Sequence, residues 1–131
     1  MNGRDFLDMK KIRESLPDYL QKRLYLTDFI NNEIADVFAL TDLAIARSGA
    51  GTVNELLMLK IPAIFIPLAI ATNNEQLKNA LISVNLGGAE IIEEKELSST
   101  ILLDKIINIL FSEKIVAMKK NLSETNFKNG L

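Results

Sequence analysis

"DLAIARSGAGTVNELLMLKIPAIFIP", residues 42–67, decides the fold class because its character changes along its length. A short apolar run (42–46) gives way to a glycine-bearing polar turn. A stretch rich in good helix formers follows (52–60). Next comes "PAIFIP" (62–67), apolar at consecutive positions, as suits a strand covered on both faces. Pro62 and Pro67 sit at its ends, where a missing N–H costs little. Strand, helix and strand with short connections make a parallel crossover.

Working outward, "RLYLTDF" (23–29) has strand-like residues. "NNEIADVFALT" (31–41) places Ile34, Val37, Phe38 and Leu40 at helical spacing. Downstream, "TNNEQLKNALISVNLGG" predicts a helix capped by Thr72 or Asn73 and stopped by Gly87-Gly88. "AEIIEE" (89–94) reads as a strand, and "LSSTILLDKIINILFSEKIVAMKK" as one long helix or two in succession. The segment "ILLDKIINILF" is apolar around more than half its circumference, which fits a core helix. This order predicts an α/β fold, a doubly wound parallel sheet flanked by helices. Residues 1–121 are expected to form one domain and residues 122–131 a polar, frayed tail.

Composition narrows the function. A chain of 131 residues with a net charge of −2 suits one globular domain and gives no electrostatic reason to expect a nucleic-acid partner. There is no cysteine and no histidine, which removes disulfides, thiolate metal sites, cysteine nucleophiles and the usual general base. The charged N-terminus, "MNGRDFLDMKKIRES", has no signal-peptide core, so cytoplasmic residence is expected. The longest apolar run, Ile61 to Ala71, is broken by two prolines and too short to span a bilayer.

In doubly wound sheets ligands bind outside the carboxyl ends of the strands. Three loops take that position: residues 29–32, 47–52 and 68–74. The helices that open from the second and third present free N–H groups suited to a phosphate. Local sequence leaves two readings of each. Thr52-Val53-Asn54-Glu55 and Thr72-Asn73-Asn74-Glu75 both match the capping box, which would occupy those N–H groups. Gly49 and Gly51 serve either a tight turn at positive φ or the close approach of a ligand. The dinucleotide fingerprint is incomplete, since its third glycine is Asn54, and no P-loop string occurs. Glu55 suits a ribose diol or a helix cap, but not both at once. Gln76 and Asn79 share one helix face, either as sugar-binding amides or as solvated surface. No D-x-D pair supports a metal-bridged pyrophosphate, so no cofactor is expected.

The combination R-S-G-A-x-T-x-x-E, then P-A-[IL]-F-[IV]-P, then N-x-x-Q-x-x-N-A carries a resemblance over about residues 23–111. This region resembles the C-terminal, donor-binding part of the MurG family of bacterial peptidoglycan glycosyltransferases, in glycosyltransferase family 28. The resemblance implies the Rossmann-like C-terminal half of a GT-B enzyme that moves GlcNAc from UDP-GlcNAc to an undecaprenyl-linked muramyl-pentapeptide, without a metal. By position, it implies that Ile30 meets the uracil through its backbone. Ser48, Gly49, Ala50, Gly51 and Thr52 would face the pyrophosphate and sugar, Glu55 would hold the ribose, and Glu75, Gln76 and Asn79 would lie at the GlcNAc end. The chain departs from the pattern at Ile70, where the family usually has His, and at Glu75, where many members have His or Gln.

The family's acceptor-side glycine loop and Gly-Gly-Ser loop have no counterpart here. The resemblance therefore implies an incomplete C-terminal piece, without catalytic residues and inactive alone. Its expected partners are UDP-GlcNAc, an N-terminal acceptor domain and the lipid-linked acceptor. A homo-oligomer through an uncovered sheet edge or the apolar helix is also expected. The complete enzyme would be peripheral on the inner face of the cytoplasmic membrane. Two alternatives remain: a non-catalytic nucleotide-sugar-binding subunit of a split transferase, and a related UDP-sugar:lipid glycosyltransferase.

Overall fold

The computed structural model describes residues 3–27, 34–70 and 72–125. The chain divides into two compact units, Met1–Ala39 and Leu40–Leu131. The single domain expected over residues 1–121 spans the first unit and most of the second.

The first unit is helical among its described residues. Helix α1 spans Gly3–Glu14 and a single turn, α2, spans Asp18–Gln21 behind Pro17. Helix α3 (Ile34–Leu40) runs up to the unit boundary. Arg13 ties this unit together, its guanidinium donating to the carbonyls of Leu24 (3.1 Å) and Gln21 (2.9 Å). Gln21 Nε2 in turn donates to the Leu16 carbonyl at 2.7 Å. None of residues 5–27 and 36–39 is fully buried. The strand expected at "RLYLTDF" is not found: residues 23–27 lie in no strand, and residues 28 and 29 fall outside the described residues. A strand exists only through a hydrogen-bonding neighbour. The described part of this unit offers none, and the Leu24 carbonyl is taken by a side chain.

The second unit is the α/β layer structure. Strands β1 (Ala44–Ala46), β2 (Ala63–Phe65) and β3 (Ala89–Ile91) form a parallel sheet in the order β1-β2-β3. In register, Ala44 lies beside Ala63 and Ala63 beside Ala89, while Phe65 bridges Ala46 and Ile91. Helices α4 (Ala50–Met58) and α5 (Glu75–Asn85) are the crossovers. Helices α6 (Ser99–Leu110) and α7 (Lys114–Ser123) follow the last strand. The 97–120 segment is therefore two helices, broken at residues 111–113.

Strand β2 is buried at all three positions. Ile64 packs with Ile92, Ile109 and Met118, flanked by Leu102, Ile106 and Ile115, so one face of the sheet is covered by α6 and α7. The two-residue period of a strand turns Ala63 and Phe65 to the opposite face. There α4 and α5 pack on each other, with Val53, Leu56, Leu57 and Ala80 buried. Helices on both faces of a parallel sheet make this the doubly wound arrangement.

Two helix ends direct the chain back into the sheet. After α4, Lys60 takes φ 59°, and the N–H groups of Lys60 and Ile61 bond to the carbonyls of Leu57 and Leu56. This is a Schellman stop at which glycine is the usual residue. The stop after α5 follows the same pattern, with Gly87 at φ 80° and the Gly88 N–H on the Ser83 carbonyl. Helix α7 docks on this second stop: Asn121 Nδ2 donates to the Gly87 carbonyl at 3.1 Å, and Leu122 is fully buried beside Gly88. The expected tail boundary at residue 122 is thus corrected, because α7 continues to Ser123 to seat Leu122. Glu90 on β3 joins both C-terminal helices to the sheet through Lys105 (2.9 Å) and Lys114 (3.6 Å).

Strand β1 ends the sheet order, and its Ile45 is 44 % exposed. Leu103, Ile107, Phe111 and Val116 on and between α6 and α7 are also exposed, Phe111 at 81 %. No helix among the described residues is long and apolar enough to cross a membrane.

Candidate functional site at the carboxyl ends of the strands

The loops leaving β1, β2 and β3 meet at the carboxyl end of the sheet, and side chains hold them there. Helix α4 starts at Ala50 with Gly49 as its N-cap (φ −61°, ψ 153°), and no side chain caps it. This corrects the first capping box: the helix begins before Thr52, so Thr52 and Glu55 are helical residues. The first backbone bond of the helix is Val53 N–H to the Gly49 carbonyl at 3.0 Å. That leaves the preceding N–H groups of Ala50, Gly51 and Thr52 without intrahelical partners, as at any α-helix start. Ala50, Gly51, Thr52 and Glu55 are all exposed. The first turn holds no acidic residue, so the partial positive charge of the helix end is not offset there.

The glycines are not explained by backbone strain. Neither Gly49 nor Gly51 has positive φ, and a Cβ built on either meets nothing within 4 Å. The tight-turn reading therefore fails. Gly51 weakens the helix by up to about 1 kcal/mol relative to alanine, and no described atom crowds the place a Cβ would take.

The second expected capping box is also absent. Helix α5 begins at Glu75, behind Asn74 as N-cap without a side-chain bond. Asn73 (φ 55°) and Asn74 (φ 54°) are both left-handed, which asparagine tolerates better than most residues. Those two residues turn the chain into α5, so Asn74, two residues after Thr72, takes the cap position.

Gln76 connects the first two loops. Its Oε1 accepts from the Leu68 N–H (2.9 Å) and the Ser48 N–H (3.3 Å). Both partners are donors, so the oxygen assignment is forced, and the Nε2 donor pair takes no part in the tie. The Ser48 hydroxyl donates to the Gln76 carbonyl at 2.7 Å, and Asn79 Nδ2 donates to the Ser48 carbonyl at 3.1 Å. Ser48 is fully buried. The structure thus brings Ser48, Gln76 and Asn79 into one network and turns their expected ligand-facing atoms inward, apart from Gln76 Nε2. Gly49, Ala50, Gly51, Thr52 and Glu55 lie on the open start of α4, and Glu75 is exposed at the start of α5. Ile30 lies outside the described residues.

Sequence reasoning gave no role to Arg47 or Glu94. Arg47 Nη1 donates to the Ile66 carbonyl (3.2 Å) and pairs with Glu94 Oε1 (2.6 Å). The same Glu94 oxygen accepts from the Ala69 N–H at 3.4 Å. Opposite charges just past the ends of two strands of one sheet were the available signal. A cleft of ≈ 140 Å³ opens beside them, lined in part by Leu68, Ala69, Asn74 and Glu93. It is smaller than pockets that enclose a drug-sized ligand, commonly about 300–1,000 Å³. Among the described residues no group of three or more His, Cys, Asp or Glu side chains is placed to hold a metal ion.

A family model described as the glycosyltransferase family 28 C-terminal domain matches residues 6–131. The UDP-N-acetylglucosamine--N-acetylmuramyl-(pentapeptide) pyrophosphoryl-undecaprenol N-acetylglucosamine transferase of Prochlorococcus marinus (strain MIT 9515) is 35% identical over 117 residues, covering 87% of this chain and 30% of that protein. The protein of the same description from Pelagibacter ubique (strain HTCC1062) is 34% identical over 129 residues, covering 98% of this chain and 35% of that protein. Among solved structures, Acinetobacter baumannii MurG superposes with a TM-score of 0.70 at 25% identity, over 80% of this chain and 32% of that one. The chain spans about a third of the length of the curated relatives it matches.

Proposed function

The chain belongs to the glycosyltransferase family 28 C-terminal domain family, and from that premise we propose that it is the UDP-GlcNAc-binding portion of an N-acetylglucosaminyltransferase. The complete enzyme moves GlcNAc to a lipid-linked muramyl-pentapeptide, as the names of the relatives state for those proteins. The observation that carries the reading is the start of α4. Its N–H groups are uncapped and its first residues exposed, and a Cβ built on either of the two glycines there meets nothing within 4 Å. A pyrophosphate set there is held by backbone donors and the helix dipole. Glu55, freed from capping, is available to the ribose hydroxyls. Glu75 and the Nε2 donors of Gln76 stand at the sugar end. Ser48 and Asn79 act indirectly, by holding the loop that presents Gly49.

The adjoining cleft is too small to enclose a nucleotide sugar. The donor therefore lies across an open surface, and the acceptor-binding half of the enzyme supplies the opposing wall and the catalytic groups. A soluble UDP-sugar donor and a lipid-linked acceptor together suit a cytoplasmic enzyme peripheral on the inner face of the cytoplasmic membrane. Calorimetric titration of the chain with UDP-GlcNAc, UDP-glucose, UDP, NAD and ATP, with and without magnesium, tests the reading. UDP compounds are expected to bind in preference, and tighter binding of NAD or ATP than of UDP would overturn it.

The glycines give a second check. Gly51→Ala should raise stability by up to about 1 kcal/mol, because the new methyl group enters open space within a helix. Gly49→Ala should leave the fold intact and weaken UDP binding by about tenfold, because its Cβ would stand where the pyrophosphate meets the backbone. Thermal melting and calorimetry on the same samples separate the two effects.

Self-association is expected as well, through the β1 edge or the apolar surface of α6 and α7. A strictly monomeric light-scattering profile at high concentration would count against it.

A further inference from the structure

The geometry points to Glu94 as a positioning residue for the sugar end of the donor site, a role that rests on the donor-binding reading above. The segment leaving β2 starts with Ile66, whose N–H bonds to the Ala46 carbonyl, and Pro67, which has no N–H to give. The next two N–H groups are each taken by a side chain from a different element. Leu68 N–H goes to Gln76 Oε1 on α5, and Ala69 N–H goes to Glu94 Oε1, in the turn that follows β3. Glu94 uses the same oxygen to hold Arg47, whose Nη1 also grips the Ile66 carbonyl at the end of β2. One carboxylate oxygen therefore links the exits of all three strands.

Without Glu94, the Ala69 side of the loop loses its anchor while the Leu68 side keeps Gln76. The loop then pivots about Leu68, and the Asn73–Glu75 end that precedes the sugar-facing groups shifts with it. Arg47 and Glu94 are both partly exposed, with side chains 50% and 32% accessible. The pair consequently adds little to global stability, as exposed ion pairs generally do. Its effect belongs to the loop rather than to the core.

The test is calorimetry of the full chain with UDP and with UDP-GlcNAc, alongside thermal melting. The unaltered chain is expected to bind UDP-GlcNAc more tightly than UDP. Glu94→Ala should weaken UDP-GlcNAc binding about tenfold and UDP binding less than about twofold, because a displaced loop harms only the contacts it positions. Its melting temperature should stay within about 2 °C of the parent. Glu94→Gln keeps an acceptor oxygen for Arg47 and Ala69, and should recover most of the lost affinity. Arg47→Ala combined with Glu94→Ala should lose no more than the worse single change, since the two act as one unit.

Equal loss for UDP and UDP-GlcNAc, no loss at all, or no rescue by glutamine would each overturn the role of Glu94 and leave the donor reading standing. Failure of the unaltered chain to bind either UDP compound would instead remove the donor reading, and this role with it.

Discussion

Gly88→Ala is expected to destabilise the protein by about 1–3 kcal/mol, the range for forcing an extra methyl group into a packed site. Gly88 is buried at the stop between α5 and β3, and a Cβ there would overlap the Leu122 side chain, which has no exposed surface of its own. Leu122 lies near the end of α7, so it moves away only by lifting that helix from the sheet. Met118, buried on the same helix, would go with it. The cause can be isolated with a second substitution. Leu122→Ala alone should cost about 2–5 kcal/mol through the cavity it leaves. In that background, however, Gly88→Ala should cost almost nothing, because the methyl group enters the space just vacated. Urea unfolding of the two single variants and the double would show this as strong non-additivity. Additive losses would mean that Gly88 is needed for its backbone and not for its closeness to Leu122. The same experiment shows whether the C-terminal helix is part of the cooperative unit, contrary to the polar ending suggested by residues 122–131.

How far the fold could be read depended on whether the deciding interaction was local. The β1-α4-β2-α5-β3 order was legible because its strands are short apolar runs bounded by glycine, proline and polar residues. The layer assignment followed from the connections, and Gly87-Gly88 marked the end of α5 correctly. The segment at residues 23–27 was misread for the opposite reason. Leu24, Tyr25 and Leu26 have strand-like side chains, but a strand also needs a neighbour, and propensity does not report one. Both capping boxes failed in a related way. Thr52 and Thr72 stand at the right spacing from a glutamate, yet Gly49 and the left-handed Asn73-Asn74 pair decide where each helix begins.

The candidate site was legible as a location more than as a set of roles. The loops after β1 and β2 lie at the carboxyl ends of those strands, which follows from topology alone, while the loop expected at residues 29–32 falls outside the described residues. The internal partners of its polar residues were not legible, because Ser48 and Gln76 lie 28 residues apart and meet only when the start of α5 comes beside the loop leaving β1. Ser48, expected at the pyrophosphate, has a buried side chain bonded to the Gln76 carbonyl. Glu94 looked like the end of a strand but lies where three loops meet. In both cases the chemistry of the residue was evident, and its partner could be known only from the fold.

Gln76 combines a structural role with a proposed ligand role, and a pair of substitutions should separate them. Gln76→Ala removes the side-chain oxygen that accepts from both the Ser48 and the Leu68 N–H groups. Ser48 is fully buried, so no water replaces that acceptor without opening the loop. Leaving such donors unsatisfied costs about 1–3 kcal/mol each, which predicts a loss of about 2–3 kcal/mol once some relaxation at half-buried Leu68 is allowed. Gln76→Glu has nearly the same shape and keeps an oxygen in that position, so its stability should stay within about 1 kcal/mol of the parent. What glutamate loses is the Nε2 donor pair, and it adds a negative charge beside a site meant for an anionic ligand. UDP-GlcNAc affinity should therefore fall by about tenfold or more in Gln76→Glu, although the loops remain held. Denaturation and calorimetry on the two variants decide the matter. A stable Gln76→Glu that binds UDP-GlcNAc like the parent would reduce Gln76 to a loop tie. An Ala variant as stable as the parent would show that the two N–H groups find other acceptors, and that the loops are held by the Arg47–Glu94 pair instead.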